Sequence, residues 1–202
     1  MIKCVLLTLA FLYSSDYRSG YYLPIKTTDR LSIHSISLTS IGEFGMLRKE
    51  RPGIPSHFHT GIDIKRPTSN FQDEPIFPIY DGVVISIRKD GPYAQIIIEH
   101  GSSLKFWTVY EHVAGIKVRL YEQVTPNLPI ARFMNTNELN KYGWQFDHFH
   151  FEILKTKPLK LEIDNSNPER RYSSYSLTCL TSEGLNKYFY NPIEFLKTRL
   201  RL

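Results

Sequence analysis

Cysteine is scarce in this sequence, which contains only Cys4 and Cys179 among 202 residues. Cys4 lies inside an apolar run near the N-terminus, whereas a lipid-attachment cysteine would follow such a run. If the N-terminal segment is removed, Cys179 has no partner and no intramolecular disulfide can form. Hydrophobic residues make up 42% of the chain, so a packed apolar core is expected in place of disulfide stapling.

The sequence also lacks an apolar run long enough to cross a membrane. The run from Cys4 to Tyr13 follows Lys3 and is shorter than the about 20 residues of a bilayer span. This pattern is typical of a secretory signal peptide, which we predict for residues 1–15 although no A-x-A cleavage pattern follows. A buried N-terminal strand is the alternative. We therefore predict export to the cell envelope (periplasm or cell wall) or the medium, without a stable membrane span.

Neither a basic helix nor an aromatic-basic stripe is present, so we do not expect nucleic-acid binding. The formal net charge is nevertheless +5, which favours an anionic partner such as a cell wall or a membrane surface. A basic face that is merely solvated is an equally good explanation of this charge.

Helical periodicity, internal repeats and low-complexity tracts are weak or absent, and short β-like runs dominate. We predict an all-β, sandwich-like domain of antiparallel sheet over residues 30–200, with long loops around a groove. A tight turn at Gly101-Ser102-Ser103 would join two of the strands. The predicted strands are LSIHSISL (31–38), GVVISIRK (82–89), YAQIIIEHG (93–101), LKFWTVYEHV (104–113), LPIARFM (128–134) and HFHFEIL (148–154).

Three further segments do not fit the strand pattern. Residues 191–200 are predicted to form a C-terminal helix, with Asn191 as its cap and Pro192 in its first turn. Residues 135–147 and 164–191 are predicted to be long irregular loops. Loops of that length in a compact domain are usually functional or mobile.

The seven histidines include two pairs that are informative. His148 and His150 are two apart in a predicted strand, so both side chains point to one face of the sheet while the flanking phenylalanines point to the other. Two solvated or core-satisfied histidines are the alternative for this pair. His59 and Asp63 are four apart with Gly61 between them, which alone is a weak signal and is not the helical H-E-x-x-H motif. Together the two stretches supply imidazole and carboxylate ligands, and three such ligands plus a water complete a catalytic zinc site.

Three short blocks, HTGIDI, YEHV and HFHFE, resemble in this order the signature blocks of the lysostaphin/LytM-type zinc metallopeptidases. The connecting sequence is similar as well, in LTSIGEFGMLR (38–48), PIFPIYDGVVISI (75–87) and NPIEFL (191–196). The resemblance covers residues 36–154 and 190–197. It differs at the approach NELNKYGWQFD, where the family has a glycine-rich turn, and at the insertion 164–191.

The resemblance implies a ligand set for Zn²⁺ made of His59, Asp63 and His150. It also implies that His112 and His148 form a catalytic pair. One of these histidines would take a proton from the attacking water, and the other would stabilise the tetrahedral intermediate or protonate the leaving amine. Their assignment to these two tasks is left open.

The other histidines receive lesser roles. His57 forms a second i, i+2 pair with His59 and is expected beside the ligands or at the rim of the cleft. His100 is interpreted as a structural turn residue, and His34 is given no role.

The resemblance further implies a peptidoglycan or peptide substrate, and thus a zinc endopeptidase that hydrolyses peptide cross-links of bacterial peptidoglycan. Two alternatives stay open. One is a non-catalytic wall-binding or regulatory domain that activates another hydrolase, and the other is a zinc peptidase that acts on a protein. Nothing in the sequence indicates the oligomeric state.

Overall fold

The computed structural model describes residues 20–101 and 105–200. The predicted signal segment 1–15 and the turn residues Ser102 and Ser103 lie outside these ranges. Within these ranges four short 3₁₀ turns occur, at Ile33–Ser35, Gly91–Tyr93, Trp144–Phe146 and Ser176–Thr178. The strands and helices, in chain order, are β1 (Leu47–Arg48), β2 (His57–Phe58), β3 (Ile62–Lys65), β4 (Pro75–Ile76), β5 (Gly82–Arg88), β6 (Gln95–His100), β7 (Phe106–Glu111), β8 (Gln123–Val124), β9 (Ala131–Arg132), α1 (Thr136–Tyr142), β10 (His148–Leu154), β11 (Leu159–Lys160), β12 (Tyr172–Ser173), α2 (Ser182–Tyr188), β13 (Phe189–Tyr190) and α3 (Pro192–Arg199).

One antiparallel sheet dominates the fold, with strand order β13-β10-β7-β6-β5-β8. Two short strands share one edge of β10. β3 pairs with its first half, and β13 pairs with its last two residues. Every pair in this sheet is antiparallel. The long strands are rich in β-branched and aromatic residues, which suit a pleated and buried surface. The predicted all-β antiparallel fold class is confirmed.

The two faces of this sheet pack against different cores. Alternate residues such as Ile96 and Ile98 join the main core, while Ile97 between them joins a second core. In β10 the main core takes Phe149, Phe151 and Ile153. The opposite face of β10 carries His148, His150, Glu152 and Leu154.

The segment 164–190, which was predicted to be an irregular loop, contains regular elements and packs on the second core. It contains β12, which pairs with β11, and α2, which Thr181 caps by accepting a hydrogen bond from Gly184 N–H. The Ser86 hydroxyl accepts hydrogen bonds from the N–H groups of Arg171 and Tyr172, at 2.9 and 3.0 Å. Since Ser86 lies on an otherwise open stretch of β5, the segment also protects that sheet edge.

The prediction of an irregular loop over 135–147 is wrong in its first half, where α1 forms. Asn135 accepts a hydrogen bond from Glu138 N–H, and the Glu138 carboxylate accepts one from Asn135 N–H. This reciprocal pair is a capping box, which satisfies two helix donors that would otherwise be unpaired. Buried Leu139 anchors the helix on a small core with Ala114 and Met134.

Two predicted strands are wrong or much shortened. Residues 31–38 form a 3₁₀ turn with a single bridge at Leu38. Local side-chain bonds explain this, because Asp29 accepts from Leu31 N–H and the Ser35 hydroxyl donates to the Asp29 carbonyl. Of residues 128–134, only β9 is a strand, paired with β4.

The C-terminal helix is confirmed as α3. The Asn191 side chain accepts hydrogen bonds from Ile193 and Glu194 N–H, and Pro192 is in the first turn. α3 is the longest helix in the described ranges, and its eight residues are far fewer than a membrane span requires, so no helix there can cross a bilayer.

Candidate metal centre

Two of the predicted ligands are direct neighbours in the sheet. β3 and β10 pair so that Asp63 lies opposite His150. Opposed residues of an antiparallel pair project to the same face with their Cβ atoms about 5 Å apart. Residues 87 positions apart in sequence therefore meet because of the strand register alone.

The third predicted ligand, His59, precedes β3 and is positioned by backbone hydrogen bonds. Its N–H donates to the Met46 carbonyl and its carbonyl accepts from Gly45 N–H, both at 2.8 Å. Gly45 has φ +79°, a left-handed conformation that glycine adopts without strain. Between the ligands, Gly61 lies so close to β10 that a Cβ there would be 2.2 Å from the Phe151 carbonyl oxygen.

The donor atoms of the three residues form a small triangle. His59 Nε2 is 2.9 Å from His150 Nδ1 and 3.0 Å from Asp63 Oδ1, and His150 Nδ1 is 3.0 Å from Asp63 Oδ1. Because zinc–nitrogen and zinc–oxygen bonds are about 2.0–2.2 Å long, one ion can contact all three atoms. Among the described residues, this is the group of histidine, cysteine and acidic side chains that could hold a metal ion.

Each member of the triangle has a second partner that fixes its orientation. His59 Nδ1 donates to the Glu43 carbonyl at 2.8 Å, and His150 Nε2 bonds to Glu152 Oε1 at 3.0 Å. Arg48 donates to Asp63 Oδ2 at 2.7 Å, which leaves Oδ1 facing the imidazoles. Outer partners of this kind are typical of metal ligands, since they select the tautomer and hold the ring.

Burial and hydrogen bonding shift the pKa values of the cluster strongly. Burial alone would raise the pKa of Asp63, but hydrogen bonds from His150 and His59 outweigh it and hold that pKa far below its usual range. Burial would lower the pKa of His150, but its bonds to Asp63 and Glu152 raise it to about 10. Burial lowers the pKa of His59. A proton thus sits among buried carboxylates where a bound cation would otherwise supply the positive charge. Two imidazoles and one carboxylate fit zinc in both number and donor type.

The predicted catalytic pair lies beside this triangle. The rings of His112 and His148 are edge to face with centroids 5.3 Å apart, and His148 Nε2 is 3.8 Å from Asp63 Oδ1. Burial lowers the pKa of His148 to about 4 and also lowers that of His112. Both rings are therefore neutral near pH 7 and each has a nitrogen that can accept a proton.

His112 has an unusual backbone. It follows β7 with φ +63°, a left-handed conformation that is uncommon for a residue other than glycine. Its Nδ1 donates to the Pro92 carbonyl at 2.6 Å, and its ring packs on Phe146 with centroids 5.0 Å apart. These contacts hold the ring against the strain and leave Nε2 without its proton.

Comparison with known proteins identifies the family. The sequence profile described as Peptidase family M23 matches residues 57–162, which is more than half of the chain. The chain belongs to this family. The match contains all three signature blocks, so the resemblance read from the sequence is confirmed.

Solved structures agree with the M23 fold. CbpA from L. salivarius REN superposes with a TM-score of 0.53 at 15% identity, over 90% of this chain and 97% of that one. Lysostaphin from Staphylococcus simulans, an antimicrobial peptidase, gives 0.51 at 14% identity, over 90% and 56%. At such identities these likenesses show the fold alone.

A zinc-containing peptidase from Vibrio cholerae is 28% identical over 67% of this chain, with a TM-score of 0.46. This M23 chain spans 36% of that protein's length. No curated protein matches the chain by sequence.

The remaining histidines lie outside the triangle of this M23 domain. His57 is buried in β2, and its Nδ1 contacts the Pro55 carbonyl at 2.8 Å. His100 ends β6 but is 1% exposed, bonded to the Asp81 carbonyl and the Thr108 hydroxyl. It is therefore a buried structural residue at the end of a strand rather than a turn residue. His34 is exposed.

Two residues that contact the predicted ligands were not identified from the sequence. Glu152 shares the strand and the face of His150, so continuing the alternation by one more step would have found it. Arg48 lies in the quoted block LTSIGEFGMLR, but nothing in the sequence pairs it with Asp63. The Glu43 carbonyl that orients His59 is a backbone group and leaves no residue signal.

Proposed function

We propose that this M23 domain is a zinc endopeptidase that hydrolyses peptide cross-links of bacterial peptidoglycan. The observation that carries the proposal is the triangle of His59, Asp63 and His150 donor atoms with two further histidines beside it. The family membership and the fold shared with lysostaphin support this substrate class. The basic net charge of +5 is in keeping with an anionic wall.

The triangle would hold Zn²⁺, which supplies Lewis acidity toward the scissile carbonyl and lowers the pKa of the attacking water. His112 and His148 would perform the proton transfers. His112 suits the role of general base, because its Nδ1–H is engaged by Pro92 and its Nε2 lone pair is free. His148 would then face the developing oxyanion or the leaving amine.

Aromatic side chains flank the catalytic pair and would contact the substrate. Tyr93 and Phe146 pack edge to face with centroids 5.9 Å apart, and both rings lie against His112. Trp144 is 53% exposed and packs on Phe71. This wall comes from the 3₁₀ turns at 91–93 and 144–146, so it would exclude water on that side of the cleft.

The two alternatives make different demands. A regulatory domain that only activates another hydrolase has no need of metal ligands or a proton acceptor, yet all five residues are present in this chain. A peptidase that acts on a protein would use the same centre with a different groove. Export to the cell envelope is part of the proposal, because peptidoglycan lies outside the cytoplasm.

The first test is the metal content of the purified chain. We expect one zinc per wild-type chain and near-complete loss in His59→Ala and in His150→Ala, with His34→Ala as the matched control because His34 is exposed. A folded wild type that takes up no zinc even when zinc is supplied would contradict the proposal and favour the regulatory domain.

The second test separates the substrates. Purified peptidoglycan and an unstructured protein are digested side by side with the zinc-loaded chain. New amino groups released from peptidoglycan alone support the proposed function. Cleavage of the protein alone would replace it with the second alternative.

A further inference from the structure

A buried carboxylate behind the metal centre gathers three hydrogen bonds. Glu152 is 1% exposed and lies two residues after His150 on the same face of β10. Its Oε1 interacts with His150 Nε2 at 3.0 Å and accepts from the Thr60 hydroxyl at 2.5 Å. Its Oε2 accepts from the Ser174 hydroxyl at 2.5 Å.

Ser174 comes from outside the region that the family profile matches, which ends at residue 162. It follows β12 and is 9% exposed. The bonds of Ser86 to the backbone of residues 171 and 172 hold this stretch on the sheet. Further along the segment, the Cys179 carbonyl accepts from Phe58 N–H beside the centre. The insertion is thus packed where it can contact the centre from behind.

The bonding pattern dictates which nitrogen of His150 carries a proton. An ionised carboxylate only accepts hydrogen bonds, so the hydrogens of His150, Thr60 and Ser174 must all point at Glu152. His150 Nε2 is then protonated, and in the neutral ring Nδ1 presents its lone pair to His59 and Asp63. Loss of the Ser174 hydroxyl would leave a buried carboxylate oxygen without a partner, and Glu152 would no longer be held on both sides.

We propose that Ser174 is a positioning residue of the metal centre, which acts through Glu152 to orient His150 for zinc. This inference rests on the proposed function, since it presupposes that the triangle binds zinc. It assigns to the 164–191 insertion the task of completing the centre through Glu152.

The experiment measures the zinc dissociation constant of the full chain by competition with a chromogenic chelator. We expect Ser174→Ala to weaken zinc binding about ten-fold, as is typical for loss of an outer partner. Ser173→Ala is the matched control, because the Ser173 hydroxyl has only a 3.4 Å contact to the neighbouring carbonyl. It should bind zinc as the wild type does.

A double-mutant cycle distinguishes positioning from general destabilisation. If Ser174 acts through Glu152, Ser174→Ala adds no further loss of zinc affinity in the Glu152→Gln background. Effects that add fully would overturn the inference. So would a Ser174→Ala protein that melts at a lower temperature and yet binds zinc with wild-type affinity.

Two further outcomes are covered by the same measurement. If Ser174→Ala does not fold, Ser174→Cys replaces the hydroxyl with a weaker donor of similar shape and enters the same cycle with the same expectation. If the wild type binds no zinc, the proposed function fails first. If the wild type binds zinc and Ser174→Ala binds it equally tightly, the inference about Ser174 fails and the proposed function stands.

Discussion

His148 and His150 are two residues apart on one strand face, yet their environments shift their pKa values in opposite directions. Burial, assisted by the neighbouring His112 and His150, lowers the pKa of His148 to about 4, whereas bonds to Asp63 and Glu152 overcome burial and raise that of His150 to about 10. The difference arises from partners rather than residue type. At the residue scale, then, the ring of His150 is protonated between two carboxylates near pH 7, and the ring of His148 beside it stays neutral.

The separation of ligand and catalytic roles predicts the behaviour of His112→Ala. The ring of His112 does not belong to the donor triangle, so this variant should keep its zinc. Loss of the proton acceptor should reduce peptidoglycan hydrolysis about 100-fold or more. Zinc content and the release of amino groups are measured on the same preparation. Hydrolysis at the wild-type rate would remove His112 from the mechanism.

His100 predicts a pH dependence of stability that is independent of the metal centre. Burial lowers its pKa to about 4 in the folded chain, against 6.5 for a free histidine. The unfolded chain therefore binds the proton first, and the stabilising contribution present above pH 6.5 is lost as the pH falls toward 4. The loss is about 3 kcal/mol for a shift of this size.

This dependence is checked by urea unfolding between pH 7 and pH 4. The free energy of unfolding of His100→Gln should fall less steeply than that of the wild type, since glutamine does not titrate. Parallel curves for the two proteins would show that His100 contributes nothing to acid sensitivity.

At the element scale, the strands were more predictable than the connections. β10 spans residues 148–154 as the alternation indicates, because both faces of a central strand must match a core or a site. Residues 31–38 alternate equally well but form a turn, since their serines and Asp29 bond locally. α1 was missed although Asn135 and Glu138 have the spacing of a capping box.

The close approach of the segment after His59 to β10 predicts that Gly61→Ala is severely destabilising. A Cβ at residue 61 would lie 2.2 Å from the Phe151 carbonyl oxygen, so the strands must separate. We expect the free energy of unfolding to fall by about 3 kcal/mol or more and zinc binding to weaken. Gly53→Ala is the control, because its Cβ would meet nothing within 4 Å although φ is +76°.

The free energy of unfolding of the control should fall by only about 1–2 kcal/mol, which is the cost of a left-handed backbone conformation for alanine. Denaturant unfolding of both variants measures the difference. Since Gly61 does not have a positive φ, a loss at residue 61 no larger than that of the control would contradict a steric requirement for glycine there.

At the scale of the whole molecule, the metal centre ties together three distant parts of the chain. The region of His59, the strand of His150 and the segment of Ser174 meet at Glu152 and Asp63. A ligand that binds only the folded state stabilises it in proportion to the logarithm of its free concentration. Zinc should therefore stabilise the entire domain and not only its site.

Zinc addition to the chelator-treated protein is expected to raise the thermal midpoint of unfolding. The free energy of unfolding should rise by about 2.7 kcal/mol when the free zinc concentration is 100 times the dissociation constant. Magnesium should not reproduce the shift, because two imidazoles are poor ligands for it. The His59→Ala protein should show no rise. A rise of equal size in that variant would place the stabilising ion elsewhere.

The sequence by itself determined the fold class, the central strands and the C-terminal helix, because these depend on local periodicity and capping. The five candidate site residues came from the resemblance of three short blocks to a known family. Only the tertiary structure decided how the parts meet. The register of β3 against β10 brings Asp63 opposite His150, and the folding of 164–190 onto the sheet brings Ser174 to Glu152. Such contacts join residues that are far apart in the chain, and no local pattern of residues encodes the distance between them.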